Sequence, residues 1–515
     1  MSIMSSRSLV PILALITTTS VPSPPPGGIF PGGGSTSALL SSCSSPTSVT
    51  LEGPQTFTTS QVFSDLDALT LRNLTFTDIT GAALNISRVG TVTIEDCTFT
   101  NITGTSGGAA VITGRSNGSV TIHNVTIDNI VGHGIKFPDS ADDDDANRTS
   151  HIEIENATIS HVHRMEEAEG SGNAIQLSGA DNVVVRDSHL NFVADWGMKL
   201  GVENAKAGLR LGENGHVLIE NNEINDVMGD GILVLDGTYN ISIIGNSIWN
   251  IATDGIGARP SNGDHGIYYQ CNFNGLIADN HIWNNFDTVN GDPNLPNGLG
   301  ISYRSGDTII TRNHIHNISK NGIAYWSDHP GSGTVLVESN LVYDTGMGAI
   351  YLGGAQGSGE NPTRQEVDHH AIYNNTLYMN SSLGGWSNVA PIGWYNLSEP
   401  CSIEVYGNLM ILDNGDVDPN HYLLNGSSAP STAIPLDEWP GQEGQVLMQQ
   451  NLKLPLDSPL DDVFTSVQQR NFSLAHTSLA IGLATVVDGI VTTDVGGNPR
   501  SIPTDAGAWE YQPEP

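Results

Sequence analysis

The sequence predicts an all-β chain, a parallel β-helix of about twelve coils with a β-rich C-terminal cap. Three observations lead there. One short unit recurs through most of the chain, each copy lies between two β-rich runs, and one position of the unit is Asn in seven successive copies.

The unit is a polar or small residue, two variable residues and an apolar one. It reads NLTF from Asn73, DCTF from Asp96, NVTI from Asn124, NATI from Asn156, DSHL from Asp187 and NNEI from Asn221. It continues as GNSI from Gly245, DNHI from Asp279, RNHI from Arg312, SNLV from Ser339, NNTL from Asn374 and GNLM from Gly407, twelve copies at intervals of 23 to 35 residues. A constant unit at variable spacing is what a coil with unequal loops produces. Before each copy stands a run such as LTLR, VTIE, IEIE or VVVR, alternating apolar and polar residues with the period of a half-buried strand. After it comes a second strand opened by Gly or Ala, as in GIKF at Gly134, AIQL at Ala174, GIYY at Gly266, GISY at Gly300 and GIAY at Gly322. No helical period separates them. A single coil cannot bury its own apolar side, so coils stack about 4.8 Å apart around a shared core. Asn222, Asn246, Asn280, Asn313, Asn340, Asn375 and Asn408 share one position, where stacked amides can bond along the column. That column is structural, not catalytic.

Composition agrees. The chain has 515 residues, 6% aromatic, with 58 Gly, which suits short strands and turns. Its net charge of −36 argues against nucleic acid and anionic membranes as partners, and against a polyanionic glycan unless cations such as Ca²⁺ bridge the two. The run Asp142 to Asp145 is either such a Ca²⁺ holder or a solvated loop. Residues 1–20 read as a secretory signal peptide, with Arg7 before the apolar stretch Leu9 to Ile16, too short for a permanent span. A Pro/Gly-rich linker follows over residues 21–42, the β-helix over 43–412, and a C-terminal loop and capping segment over 413–515. A secreted, extracellular monomer is expected. Fourteen Asn-x-Ser/Thr sequons fit export and glycosylation, although an Asn- and Thr-rich chain also makes them by chance. The four Cys have no zinc-like spacing; Cys43 and Cys97 lie near the first coils and can pair, whereas Cys271 and Cys401 are several coils apart.

Motifs such as IADNHIWNN, ITRNHIHN and DGILVLDG resemble the right-handed parallel β-helix repeats of the pectate-lyase-like superfamily, over roughly residues 45 to 412. The closing stretch TTDVGGNPRSIPTDAGAWEYQ is similar to the end of many secreted β-helix proteins. The resemblance implies the right hand of the coil and a role on polysaccharides, but the superfamily holds lyases, hydrolases, epimerases and non-enzymatic surface proteins. GHG at residues 132–134 resembles a polygalacturonase motif, yet the accompanying NTD and RIK motifs are absent, as are the WIDH motif of pectate lyases and the DPHD motif of alginate epimerases.

Strand alternation turns the residue after each unit outward. In coils seven to eleven that column is Trp249, Trp283, His316, Tyr343 and Tyr378. Such rings either form a platform for sugars or shield the strand edge. A second outward column holds Gln270, Arg304 and Trp326, near Tyr268, with Asp264, His265, Asp328 and His329 in adjoining turns. Lyase chemistry needs a base for the C5 proton of a uronic acid and a cation for its carboxylate; in similar β-helix lyases Arg or Lys is the base and Ca²⁺ or Arg the cation, and here Arg304 is the candidate to neutralise, with His329 or His265 as base. Hydrolysis needs two carboxylates, and Asp264 and Asp328 are the available pair. Each of these charged residues reads equally as a solvated turn. Tyr269, Tyr303 and Tyr325 fall in the inward register, unless a bulge turns them out. The expected function is a secreted carbohydrate-active protein working on a cell-wall or matrix polysaccharide, lyase ahead of hydrolase; the alternative is a glycan-binding or surface-structural solenoid without catalysis.

Overall fold

The computed structural model describes residues 47–105, 110–115, 117–137, 148–165, 172–201, 211–235, 237–251, 265–270, 273–285, 298–304, 306–326, 333–353, 368–380, 390–395, 402–413, 423–425, 446–454, 460–467, 469, 471–484, 492–501 and 504–512. All fall in the unit Pro46–Pro515. The expected signal peptide and linker, the run Asp142 to Asp145, Cys43, Cys271 and Cys401 lie outside the described residues.

Among the described residues, thirty-seven strands form one continuous hydrogen-bonded network. All its pairings are parallel, and each strand bonds mainly to the equivalent strand one coil away. Three faces result. The alternating run makes face 1, the repeated unit leads into face 2, and the Gly-initiated strand makes face 3. Face 2 stacks fourteen strands: the twelve that carry the unit, Gln55–Phe57 before them and Leu452–Leu454 after them. No helix among the described residues is long and apolar enough to cross a membrane.

The unit's composition follows from its backbone. Its first residue has φ between 51° and 67° in all twelve copies. This left-handed region is easy for Gly and tolerable for Asn and Asp, which hold ten of the twelve positions; Arg312 and Ser339 are the exceptions. The fourth residue points inward and is fully buried in every copy, from Phe76 and Phe99 to Leu377 and Met410. A second left-handed residue lies five places after the start of the first ten copies, for example Asn101, Asn250 and Asn317. It breaks the strict alternation, and the next residue, such as Ile102 or Ile251, is buried.

The Asn column is as expected and longer by one, ending at Asn451. From Asn222 onward each amide nitrogen donates to the next Asn oxygen at 2.9–3.0 Å. That same oxygen accepts the previous Asn's backbone N–H at 2.9–3.0 Å. Cys97, at this position in coil two, is a free buried thiol rather than half of a bridge, with its Sγ 3.3 Å from the Glu95 carbonyl.

Tyr269, Tyr303 and Tyr325 point into the core and are fully buried, so no bulge turns them out. Room for them comes from face 1. Gly275 has no side chain there, and a Cβ would lie 1.8 Å from the Tyr269 hydroxyl oxygen. His370 Nδ1 lies 3.2 Å from the Tyr303 hydroxyl. Burial pushes the His370 imidazole down to about 3, so it is neutral in the core.

The described part of the C-terminal segment packs along the flank of face 2 over coils ten to twelve. Phe464, Phe472, Ala506 and Ala508 form a second apolar cluster with Leu341, Tyr343, Tyr378, Leu409 and Ile411. Backbone N–H groups of Gly507 and Ala508 donate to the Gly407 carbonyl (2.7 Å) and the Thr376 hydroxyl (2.8 Å). Arg500, buried against this seam, donates to the Gly507 carbonyl and to Ser339 Oγ at 2.8 and 3.2 Å. Burial pushes Glu338, beside this clasp, up to about 7, against the opposing effects of its Thr311 hydrogen bond and the Arg500 and Arg312 charges.

Candidate functional site

Face 3 begins with a column of glycines because it runs close under face 2. A Cβ on Gly300 would meet the Gly322 carbonyl oxygen at 2.4 Å and an Ile315 methyl at 2.7 Å. The residue before each glycine therefore sits at a fixed place on successive coils. In coil six it is Asp230 and in coil seven His265.

These two form a close, largely buried pair. His265 Nδ1 is 2.6 Å from Asp230 Oδ1, and the His265 backbone N–H donates to the same oxygen at 2.9 Å. Each side chain keeps about a tenth of its surface exposed, 9% and 10%. An ionised carboxylate can only accept, so Nδ1 carries the proton of this contact, and in the neutral ring the lone pair is on Nε2. The His265 ring meets Tyr268 edge-on at 4.9 Å. The Arg304 guanidinium lies over that tyrosine, 4.6 Å from the ring centroid, and the Tyr268 hydroxyl donates to Gln270 at 3.0 Å. The His265 imidazole, the Tyr268 ring and the Arg304 guanidinium thus share one wall of coils six to eight. Gln270, Arg304 and Trp326 follow the register-paired Tyr269, Tyr303 and Tyr325; Arg304 and Trp326 are half-buried, whereas Gln270, expected to face outward, is buried. Trp326 is half-buried against Tyr351, at 5.3 Å, with Lys320 Nζ 5.7 Å from its centroid. Asp264, Asp328 and His329 lie outside the described residues, so the carboxylate pair considered for hydrolysis does too.

The aromatic column of face 2 is continuous but differs along its length. Trp249 and Trp283 stack at 4.8 Å and 10°, Trp283 and His316 at 6.2 Å and 12°, and His316 and Tyr343 at 4.7 Å and 4°. Trp249, Trp283 and His316 are half-buried, whereas Tyr343 and Tyr378 are buried. Phe472 of the C-terminal segment covers those tyrosines, with centroids at 4.8 and 5.9 Å. Tyr343 and Tyr378, expected to face outward, are instead packed under the C-terminal segment, and the half-buried rings of the column are those of coils seven to nine.

The same face gathers three imidazoles. His281 and His314 occupy the unit's third position in coils eight and nine, and His316 the outward position after the unit. One ring nitrogen from each lies within 4.8 Å of the others. His281 Nε2 is 2.9 Å from His316 Nε2, and His314 Nε2 is 3.2 Å from the Tyr343 hydroxyl. Burial, and then the neighbouring His281, push His314 down to about 4; burial pushes His281 down as well. A cavity of about 310 Å³ opens beside them, lined by Asp279, His281, Arg312 and His314 on the coil and by Phe472, Val495 and Trp509 on the C-terminal segment.

Sequence reasoning missed Asp230 as the partner of His265. Aligning DGI at Asp230 under HGI at His265 exposes it. It also missed His281 and His314 as partners of His316, although DNHIW and RNHIH line up directly.

The match to the family model described as right handed beta helix region covers residues 108–258 and 175–376. The chain belongs to this family, which supplies the hand of the coil that strand pairing leaves open. Solved structures similar to it include the periplasmic alginate epimerase AlgG, at 12% identity and TM-score 0.40, covering 67% of this chain and 77% of that one. Pectate lyase Pel9A is 10% identical with TM-score 0.32, covering 84% and 89%. PfbA, a surface adhesin of Streptococcus pneumoniae, is 13% identical with TM-score 0.31, covering 71% and 85%. Comparison with curated proteins gives no match.

Proposed function

We propose that this chain is a secreted polysaccharide-acting β-helix protein that cleaves a uronic-acid polymer by β-elimination on face 3. The observation that carries the reading is the Asp230–His265 pair beside Arg304 on Tyr268. In the neutral imidazole Asp230 fixes the proton on Nδ1 and leaves the Nε2 lone pair facing outward, the tautomer a general base needs. Arg304 supplies a fixed positive charge for the substrate carboxylate, which bears growing charge as the C5 proton leaves. His265 takes that proton, its electron pair becomes the C4–C5 double bond, and the C4–O bond breaks. The departing chain keeps the electron pair of the C4–O bond and takes up a proton from water. A surface of charge −36 repels such a polymer, so added Ca²⁺ is expected to raise turnover.

The test is a panel of acidic and neutral polysaccharides, with and without Ca²⁺, followed by the ultraviolet absorbance of unsaturated uronide. His265→Ala and Arg304→Ala are each expected to lower the rate about 10²- to 10⁴-fold with the fold intact. Full activity in both variants removes the assignment. A second reading, glycan binding without turnover, rests on the Trp249–Trp283 stack, which suits a neutral sugar chain. It predicts binding on a glycan array, lost in Trp249→Ala, with no product released.

A further inference from the structure

We propose that His281, His314 and His316 form a binding site for one first-row transition-metal ion of the Zn²⁺ class. The site lies on face 2 and is independent of the face 3 reading.

The residues come together by register. Parallel pairing sets His281 beside His314 and Trp283 beside His316, and the buried Ile282 and Ile315 between them turn all three imidazoles to the same outward side. Ring nitrogens within 4.8 Å of one another need only small ring rotations to reach a shared ion. A tetrahedral Zn²⁺ with Zn–N near 2.0–2.1 Å holds its ligand nitrogens roughly 3.4 Å apart. The 2.9 Å separation between His281 and His316 Nε2 is already close to that spacing.

The rings are also held in place before any ion arrives. His281 stacks on Trp283 at 4.1 Å and on His314 at 4.6 Å, and His316 lies flat on Tyr343 at 4.7 Å. Phe472 packs on Tyr343 from the other element. A preorganised set loses little side-chain freedom on binding. Three imidazoles and no carboxylate favour Zn²⁺, Cu²⁺ or Ni²⁺ over Ca²⁺ or Mg²⁺. The cavity of about 310 Å³ reaches His281 and His314, giving an ion a path in and leaving its fourth position for water.

The experiment uses the full chain, treated with chelator and then titrated calorimetrically with Zn²⁺. One equivalent is expected to bind, and Cu²⁺ is expected to quench tryptophan fluorescence through Trp283. His281→Ala and His314→Ala should each weaken binding at least about tenfold. His189→Ala, at the same unit position in coil five, should leave it unchanged. Absence of Zn²⁺ binding by the unaltered protein overturns the proposal even if a variant fails to fold. So does undiminished binding in both His variants.

Discussion

Coils one to four and coils six to twelve share one backbone path and treat the same corner in opposite ways. At the second position of the unit the early coils bury Leu74, Cys97, Val125 and Ala157, and the corner is held mainly by apolar contact, with the Cys97 thiol donating to the Glu95 carbonyl. The later coils bury Asn at that position, and each amide bonds to backbone and to the next amide. The outward side changes too. Thr75, Thr98, Thr126 and Thr158 line face 2 early, whereas His281, His314 and Leu341 take that position later, with Trp249, Trp283 and His316 beside them. The buried tyrosines, the Trp–His–Tyr ring column and the described C-terminal flank belong to the later half, whereas Phe57, Phe76 and Phe99 stack in the early core. A β-helix thus lets its corner and outward residues vary along its axis, because a substitution on one rung leaves the coil path intact.

The largest effect that would break this contrast is at the amide column. Asn313→Leu strands the Asn280 backbone N–H and the Ile277 carbonyl, both buried, and should cost about 3–5 kcal/mol in chemical denaturation. Cys97→Ala, at the same position in coil two, should cost only about 1 kcal/mol. Equal costs would erase the distinction between the two corners.

Next is the flank. Phe472→Ala should cost about 3 kcal/mol locally and speed hydrogen exchange at the Ala508 and Gly507 amides, while amides of coils one to four keep their protection. The smallest effect concerns pH. Glu338 is held up at about 7 from 4.5, so the folded state keeps a proton that the unfolded chain loses. Its contribution is complete below about 4.5 and is lost as pH rises through about 7. The melting temperature should therefore fall between those values, and Glu338→Gln should flatten that fall.

Much of this was legible in the sequence, because the repeat places like residues on like rungs. Twelve unit copies, the Asn column, the inward tyrosines and the stacking of Trp249 on Trp283 all follow from period and alternation. What escaped depends on contacts that period does not encode. Phe472 reaches Tyr343 across more than a hundred residues, so burial of the tyrosine column was invisible. The coils at Gln55–Phe57 and Leu452–Leu454 start from Gly53 and Gln450, which depart from the commonest form of the unit. Gly275 reads as an ordinary turn residue until Tyr269 from the neighbouring face fills its space. Asp230 and His265 differ in type, and only their shared rung shows them as a pair.

The Asn and outward-ring columns rest on register partners one coil apart being neighbours and same-face residues two coils apart not touching. Asp128 and Ser160 are register partners whose side-chain oxygens lie 2.6 Å apart, and Asn191 is one coil further on. Mild oxidation of the double variant Asp128→Cys, Ser160→Cys, followed by mass spectrometry of its peptides, measures this directly. The account predicts a 128–160 disulfide and none in the variant Asp128→Cys, Asn191→Cys; a 128–191 bridge, or no 128–160 bridge, would contradict it.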